Sequence, residues 1–205
     1  QGQSANTEIF MTPFLALGLF FLYTNVSFFS GIALGTALWF KEIAYAFIAV
    51  GAALIVCEIF LKKRTFRDLV YFAFGVLLPA VFVIFSLFIK GALNDFYEDT
   101  ILFNARYALE FTSKPFSIIA GRLWGTTKGM LQEYALYIVA ALYGALVLGR
   151  SKQSLYLLGW ALASFIAIST GFRFFGHYFI VGAVPAALFC GVGLDRLTEK
   201  FKPVS

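Results

Sequence analysis

A short polar and aromatic segment, residues 171–178, separates two long apolar runs and holds the side chains best suited to chemistry. It contains His177, the single histidine of the chain, with Arg173 and Tyr178 close by. Cationic and hydrogen-bonding groups at the mouth of a helix bundle can hold an anionic headgroup, while neighbouring aromatic rings lie at lipid depth. The alternative is an ordinary interfacial turn, in which Arg173 extends its charge to water and the rings form an aromatic belt.

Two other ionisable residues are expected at the same level. Lys41, followed by Glu42, interrupts what would otherwise be one apolar run from residue 28 to 61. Ionisable groups beside membrane segments are costly and often functional, although a lysine near the interface can also reach water. Glu8 precedes the first apolar run. We therefore treat Glu8, Lys41, Arg173, His177 and Tyr178 as candidate substrate-binding residues, with no catalytic residue and no metal ligand assigned.

The elements that must position these residues are apolar. Of 205 residues, 60% are hydrophobic and 13% charged, and the mean hydropathy is +0.84, whereas soluble domains are about a quarter charged. This composition indicates an integral membrane protein. The net charge of +5 fits basic cytoplasmic loops and anionic membrane lipid, and it does not indicate nucleic-acid binding.

Seven apolar runs predict an all-α, polytopic transmembrane bundle of about seven membrane segments, in one domain over residues 1–205. Each run should be helical because lipid offers the backbone no hydrogen-bond partners. The second run is too short to cross a bilayer alone. The runs cover residues 9–23, 28–40, 43–61, 69–89, 134–148, 154–170 and 179–194.

The basic residues predict an orientation. With seven crossings, three basic clusters fall on one side, which we assign to the cytoplasm together with the C-terminus. The expected location is a bacterial inner membrane. Residues 41–42, 91–133 and 171–178 then face outward. The clusters are Lys62, Lys63, Arg64 and Arg67; Arg150 and Lys152; and Arg196, Lys200 and Lys202.

Residues 91–133 form the one long stretch between apolar runs and predict an amphipathic outer interfacial loop. Asp95, Glu98 and Asp99 would share one face of a helix, and basic residues alternate with aromatic ones further on. That alternation suits a helix lying in the headgroup layer. Either it is a solvated cover, or it is a lid whose acidic groups bind a cation or sugar hydroxyls.

Smaller signals concern packing. Gly31 and Gly35 stand one helical turn apart and predict a close helix contact. Pro79 and Pro185 should kink their helices. Glu58, near the end of its run, is interpreted as interfacial.

The sequence contains no phosphate-binding glycine loop, zinc-type cluster or Ser/His/Asp set.

Four stretches in order resemble a known family. They are Ala5-Asn-Thr-Glu8-Ile-Phe-Met11; Gly31-Ile-Ala-Leu-Gly-Thr-Ala-Leu-Trp-Phe-Lys41; Gly91-Ala-Leu-Asn-Asp-Phe96 with Phe103-Asn-Ala-Arg-Tyr107; and Arg173-Phe-Phe-Gly-His-Tyr178 before Pro185. Their order and spacing resemble the C-terminal part of a bacterial protein-mannosyltransferase-like enzyme of glycosyltransferase family 39, in the GT-C membrane class. The resemblance covers almost the whole chain.

The resemblance implies transfer of a sugar from a polyprenyl-phosphate donor to an acceptor on the outer face, with a divalent-metal requirement in some branches of the family. Lys41, Arg173, His177 and Tyr178 would help to hold the carrier phosphate or sugar, and Glu8 would line the site or fix the local helix ends. Cations near a leaving phosphate stabilise its developing charge.

The chain departs from the family in one respect. The family's catalytic acidic residue lies in an outer loop upstream of everything that corresponds to this chain, and Asp95, Glu98 and Asp99 do not match it. We expect either a missing N-terminal segment that completes the enzyme, or a second function: a non-catalytic structural membrane subunit of a larger complex derived from that fold. A transporter is disfavoured, because repeated halves are absent from the sequence.

Overall fold

The computed structural model describes residues 7–112, 114–149, 151–172 and 174–200, and every regular element in these residues is helical. A helix pairs its backbone N–H and C=O groups internally, whereas lipid offers them no hydrogen-bond partners. The predicted all-α class is therefore confirmed. The α-helices are α1 (Thr7–Tyr23), α2 (Ser27–Phe40), α3 (Tyr45–Phe60), α4 (Phe66–Ile89), α5 (Leu93–Phe96), α6 (Phe103–Thr112), α7 (Phe116–Val147), α8 (Lys152–Ser169) and α9 (Ala183–Lys200).

Four helical segments among the described residues are long and apolar enough to cross a membrane. By contrast, α1 and α2 are apolar but shorter, and α2 has 14 residues. At 1.5 Å per residue, α2 spans about 21 Å, less than the ~30 Å hydrocarbon core. The second run therefore has the short length that was predicted. The four long segments are Glu42–Phe60, Phe66–Ile89, Phe116–Val147 and Gly176–Thr198.

The first two helices form an antiparallel pair that brings distant ionisable residues to the same level. They are joined by a tight turn in which Asn25 takes a left-handed conformation, with φ of 65°, and Asn tolerates that conformation better than most residues. Ser30 Oγ donates to the carbonyl of Gly18 at 2.8 Å and links the two helices. Glu8 therefore lies beside Lys41, which follows α2. We call this level of the bundle the Glu8 end, and the opposite level, where α3 finishes, the Glu58 end.

Glycines allow α2 and α4 to touch at the backbone. A Cβ atom on Gly31 would overlap the carbonyl oxygen of Phe72, and one on Gly35 would lie 2.5 Å from the carbonyl oxygen of Val76. Gly75 on α4 packs reciprocally against Gly31. The close contact predicted from Gly31 and Gly35 is confirmed.

A second glycine-mediated crossing joins α7 and α9, and sequence reasoning missed it. A Cβ on Gly144 would overlap the carbonyl oxygen of Phe189, and one on Gly193 would lie 2.5 Å from the carbonyl oxygen of Ala140. These two glycines belong to helices far apart in the chain, so no spacing within one helix signals them. Close backbone approach of this kind is a common way to pack helices in lipid.

Residues 91–133, predicted to be an outer interfacial loop, are largely helical. They include α5, a π-helical segment (Tyr97–Leu102), α6 and the first half of α7. The 32-residue α7 contains one non-helical residue, Tyr134, with φ of −121° and ψ of 19°. This kink lies where the outer loop was predicted to meet the next apolar run. Placement of this region in the headgroup layer stays a prediction.

The last predicted run is divided in two. Gly176–Gly182 forms a 3₁₀ segment and α9 begins at Ala183. Pro185 therefore lies in the first turn of α9, where a missing N–H breaks no helical hydrogen bond. The other proline that was predicted to kink its helix, Pro79, lies inside α4.

Candidate functional site

The candidate site lies at the Glu8 end, where three separate stretches of chain meet. They are the first turn of α1, the residue that follows α2, and the 3₁₀ segment Gly176–Gly182, which packs against both α1 and α8. Four of the five residues predicted from the sequence come together here: Glu8, Lys41, His177 and Tyr178. The fifth, Arg173, lies outside the described residues.

Glu8 and Lys41 form an ion pair. Lys41 Nζ donates to Glu8 Oε1 at 2.5 Å. The Glu8 side chain is 1% exposed and that of Lys41 is 18% exposed. A buried carboxylate is costly unless it is paired and hydrogen-bonded, and Lys41 supplies that partner for Glu8. Glu8 also stands in the first turn of α1, where a helix favours negative charge.

His177 and Tyr178 complete the cluster from the other side. His177 Nε2 lies 3.9 Å from Glu8 Oε1, and the Lys41 ammonium lies 4.6 Å from the centre of the Tyr178 ring. The imidazole stacks on the Phe175 ring with centroids 5.5 Å apart. Cation–π contact and stacking both hold flexible side chains in place. The geometry therefore fixes Lys41 and His177 about a common carboxylate.

The side chains of the cluster differ in solvent exposure: the carboxylate of Glu8 is buried, and the nitrogen groups of Lys41 and His177 are partly exposed. The His177 side chain is 35% exposed and Lys41 is 18% exposed, whereas Glu8 is almost completely buried. A ligand approaching this end meets an ammonium and an imidazole before it meets the carboxylate. The arrangement can therefore receive an anion, and Glu8 acts as the group that positions Lys41.

The backbone that carries His177 is unusual. Phe172 and Phe174 adopt left-handed conformations, with φ of 53° and 47°. Bulky residues rarely take positive φ, and such strain is concentrated at sites that need a fixed geometry. Thr126 Oγ1 on α7 donates to the carbonyl of Phe174 at 2.8 Å and secures the segment.

Sequence reasoning missed the part that α7 plays here. Besides the bond from Thr126, the guanidinium of Arg122 lies 5.9 Å from the centre of the Phe175 ring. Arg122 is thus a further cation beside the segment that carries His177. The alternation of basic and aromatic residues in 91–133 predicts a helix in the headgroup layer that is either a solvated cover or a lid, but it does not signal the specific contacts with residues 174–175.

At the Glu58 end, a second ionic cluster corrects the interpretation of Glu58 as interfacial. The side chains of Glu58 and Arg64 are 3% and 2% exposed, and Arg64 Nε donates to Glu58 Oε2 at 2.6 Å. Tyr156 OH donates to the same carboxylate oxygen at 2.7 Å. In the sequence, Glu58 stands shortly before a basic cluster. In the folded chain it is buried and contacts Tyr156 on α8. The other Arg64 bonds are to Ser27 Oγ, Asn25 Oδ1, Tyr156 OH and the carbonyl of Leu22.

The acidic residues of the 91–133 region do not join either cluster. Asp95, Glu98 and Asp99 are exposed, and Glu98 Oε1 accepts a bond from Asn94 Nδ2 at 3.3 Å. Among the described residues, no three His, Cys, Asp or Glu side chains gather to hold a metal ion. The divalent-metal requirement that the resemblance implies for some branches therefore finds no matching donor set in the described part of the chain.

Two apolar cavities lie away from the Glu8 end. One of about 450 Å³ is lined by Phe28, Tyr71, Phe74 and Leu78. The other, of about 510 Å³, lies between α1, α8 and α9. Neither is lined by Glu8, Lys41, His177 or Tyr178, so the cluster is separate from both cavities.

No family model, curated protein or solved structure matches this chain. Its likeness to the family 39 glycosyltransferases therefore remains a resemblance carried by four sequence motifs. The geometry at the Glu8 end is an independent observation.

Proposed function

We propose that this chain is the carrier-binding part of a membrane glycosyltransferase, and that Lys41 and His177 contact the phosphate of a polyprenyl-phosphate sugar donor. The observation that carries the proposal is the convergence of Lys41 and His177 on the buried Glu8 carboxylate, with both nitrogen groups still reachable. Phosphate is the leaving group in such a transfer, and fixed cations beside it stabilise the negative charge that develops.

The membrane arrangement belongs to the same proposal. The chain crosses a bacterial inner membrane as a bundle of about seven segments, with the Glu8 end outward and the C-terminus in the cytoplasm. Arg64 and Lys152 both bond to Asn25 Oδ1, so two of the three basic clusters share the Glu58 end. An excess of lysine and arginine at one end supports assigning that end to the cytoplasm.

Each residue then has a stated role. Lys41 and His177 bind the phosphate oxygens, and Tyr178 holds the Lys41 ammonium over its ring. Glu8 is a positioning residue, because its carboxylate is bound to Lys41 and is screened from a ligand. The group that removes the acceptor's proton is not assigned to the residues of this chain; another part of the enzyme or another membrane subunit would supply it.

One observation favours the second candidate function, a non-catalytic subunit of a larger membrane complex. Glu8 neutralises Lys41 within the fold, so the pair would also serve simply to join α1 to α2. Under this alternative, phosphate binding is absent and the exposed apolar faces of α4 and α7 contact partner subunits.

The proposal is tested by sugar transfer in the full-length protein. Lys41→Ala and His177→Ala should each reduce carrier-dependent transfer by about 10- to 100-fold, because one charge-assisted bond to a phosphate contributes roughly 1.5–3 kcal/mol. Transfer is measured in purified membranes with a polyprenyl-phosphate sugar, and Lys90→Ala, on an exposed residue after α4, serves as the control. Normal turnover and normal carrier affinity in both site variants would contradict the assignment.

A further inference from the structure

The apolar groove between α1, α8 and α9 is the strongest feature that the proposed function leaves unused. It has a volume of about 510 Å³ and its walls include Leu19, Ala187 and Leu188, a size typical of cavities that hold a small organic ligand. Tyr23 and Tyr156 line it at the Glu58 end. The groove is thus apolar along its length and leads to the ionic cluster of Arg64 at one end.

A lysine stands at that polar end. Lys152 Nζ lies 5.2 Å from the Tyr23 ring centre and 5.3 Å from that of Tyr156, both of which line the groove. It donates to the carbonyl of Tyr23 and to Asn25 Oδ1, each at 2.9 Å. An ammonium has three N–H donors, so one remains after these two bonds. At 3.9 Å, Glu58 Oε1 is beyond hydrogen-bond distance of Lys152 Nζ, and the side chain is 33% exposed, so a phosphate at the mouth of the groove can reach this donor.

The surroundings of Lys152 are electropositive. Glu58 Oε1 lies 3.9 Å from its nitrogen, but Arg64 already donates to the other oxygen of that carboxylate. Residues 58–68 together with Lys152 contain five lysines and arginines and only two carboxylates. The charge at this end is therefore complementary to an anion.

We propose that this groove binds one acyl chain of an anionic phospholipid, whose headgroup phosphate contacts the Lys152 ammonium. The apolar walls and the lysine at the mouth together indicate the chemistry of the occupant. A long apolar chain matches the walls, and a phosphate matches the lysine at the mouth. A polypeptide segment fits poorly, because its backbone groups would need hydrogen-bond partners that the apolar walls do not provide.

The inference is independent of the proposed function. The groove ends at the Glu58 end, whereas Lys41 and His177 lie at the Glu8 end, so this lipid is not the sugar carrier. A phospholipid here contacts α1, α8 and α9 together, and it should stabilise the native arrangement of these helices because ligands that bind only the folded state do so.

The test compares phosphatidylglycerol with phosphatidylcholine, using the purified full chain in detergent and native mass spectrometry to count bound lipid. We expect the wild type to favour phosphatidylglycerol, and Lys152→Gln to reduce this preference about fivefold, the effect of roughly one lysine near an anionic lipid headgroup. Lys62→Gln removes an exposed charge at the same end and should leave the preference unchanged.

A second pair of variants tests the groove without touching the ionic cluster. Ala187→Phe fills the groove and should abolish retention of the specific lipid. Ala186→Phe places the same ring on the neighbouring exposed residue, outside the groove lining, and should retain it. Equal binding of the two lipids by the wild type, equal effects of Lys62→Gln and Lys152→Gln, or unchanged retention in Ala187→Phe would each overturn the proposal.

Discussion

Replacing Arg64 by methionine should lower the free energy of unfolding by about 3–5 kcal/mol, which is the usual cost of removing one partner from a buried ion pair. The loss is large because the Glu58 carboxylate would stay buried with its main cationic partner gone. Arg64 also bonds to groups on α1, α2 and α8 and to the turn between α1 and α2. The measurement is reversible unfolding in mixed micelles, followed by circular dichroism.

Two further variants make this result specific. Arg67→Met removes an exposed arginine three residues away and should change stability little. Combining Arg64→Met with Glu58→Gln removes the stranded charge and should recover part of the loss. The burial argument fails if Arg64→Met and Arg67→Met have equal effects, or if the double variant is less stable than Arg64→Met alone.

Replacing Gly31 by leucine should destabilise the protein by about 3 kcal/mol, at the upper end of the usual cost of overpacking. A Cβ at this position would overlap the backbone oxygen of Phe72 and lie 3.0 Å from the Cα of Gly75. Backbone atoms cannot rotate away as a side chain does, so α2 and α4 must separate along their length. Reversible unfolding of the purified protein gives the value.

The matched control for this substitution is Gly121→Leu. Gly121 is exposed on α7 and a Cβ there would meet no atom within 4 Å. Since glycine costs a helix interior roughly 0.5–1 kcal/mol relative to alanine, the control should be neutral or slightly stabilising. Similar losses in both variants would mean that the α2–α4 contact is not a tight one.

The two ionic clusters differ in the exposure of their cationic side chains, and this difference distinguishes a structural role from ligand binding. Arg64 has every nitrogen bonded within the protein and is almost fully buried, which is the pattern of a structural group. Lys41 and His177 surround a buried carboxylate and are themselves partly exposed. Unused donor capacity at a reachable position is what binding an anion requires.

Much of the fold follows from patterns within the sequence. Apolar runs long enough to form helices predict helices, and a close crossing is signalled by Gly31 and Gly35 because both lie on one face of one helix. The common level of Glu8, Lys41 and His177 also follows from counting helix ends. The kink at Tyr134 lies at the boundary between the mixed polar and aromatic stretch 91–133 and the continuous apolar run 134–148.

What could not be predicted depends on contacts between distant segments. Glu58 stands next to a basic cluster, so its sequence context suggests an interface, and its burial depends on Tyr156, which lies 98 residues further along the chain. The bond from Thr126 to the carbonyl of Phe174 spans 48 residues. Neither contact leaves a periodic signal, because each joins a single residue on one helix to a single residue elsewhere.

The most direct test of the central claim is the affinity of the purified chain, in bilayer nanodiscs, for a polyprenyl phosphate and for the polyprenol of the same length. The two ligands share the apolar chain and differ in the phosphate alone. We expect the phosphate form to bind at least about tenfold more tightly in the wild type, the advantage of one charge-assisted bond to phosphate. Lys41→Gln and His177→Gln should each remove most of that advantage. Equal affinity for the phosphate and the alcohol in the wild type would contradict a phosphate-binding role for the Glu8 end.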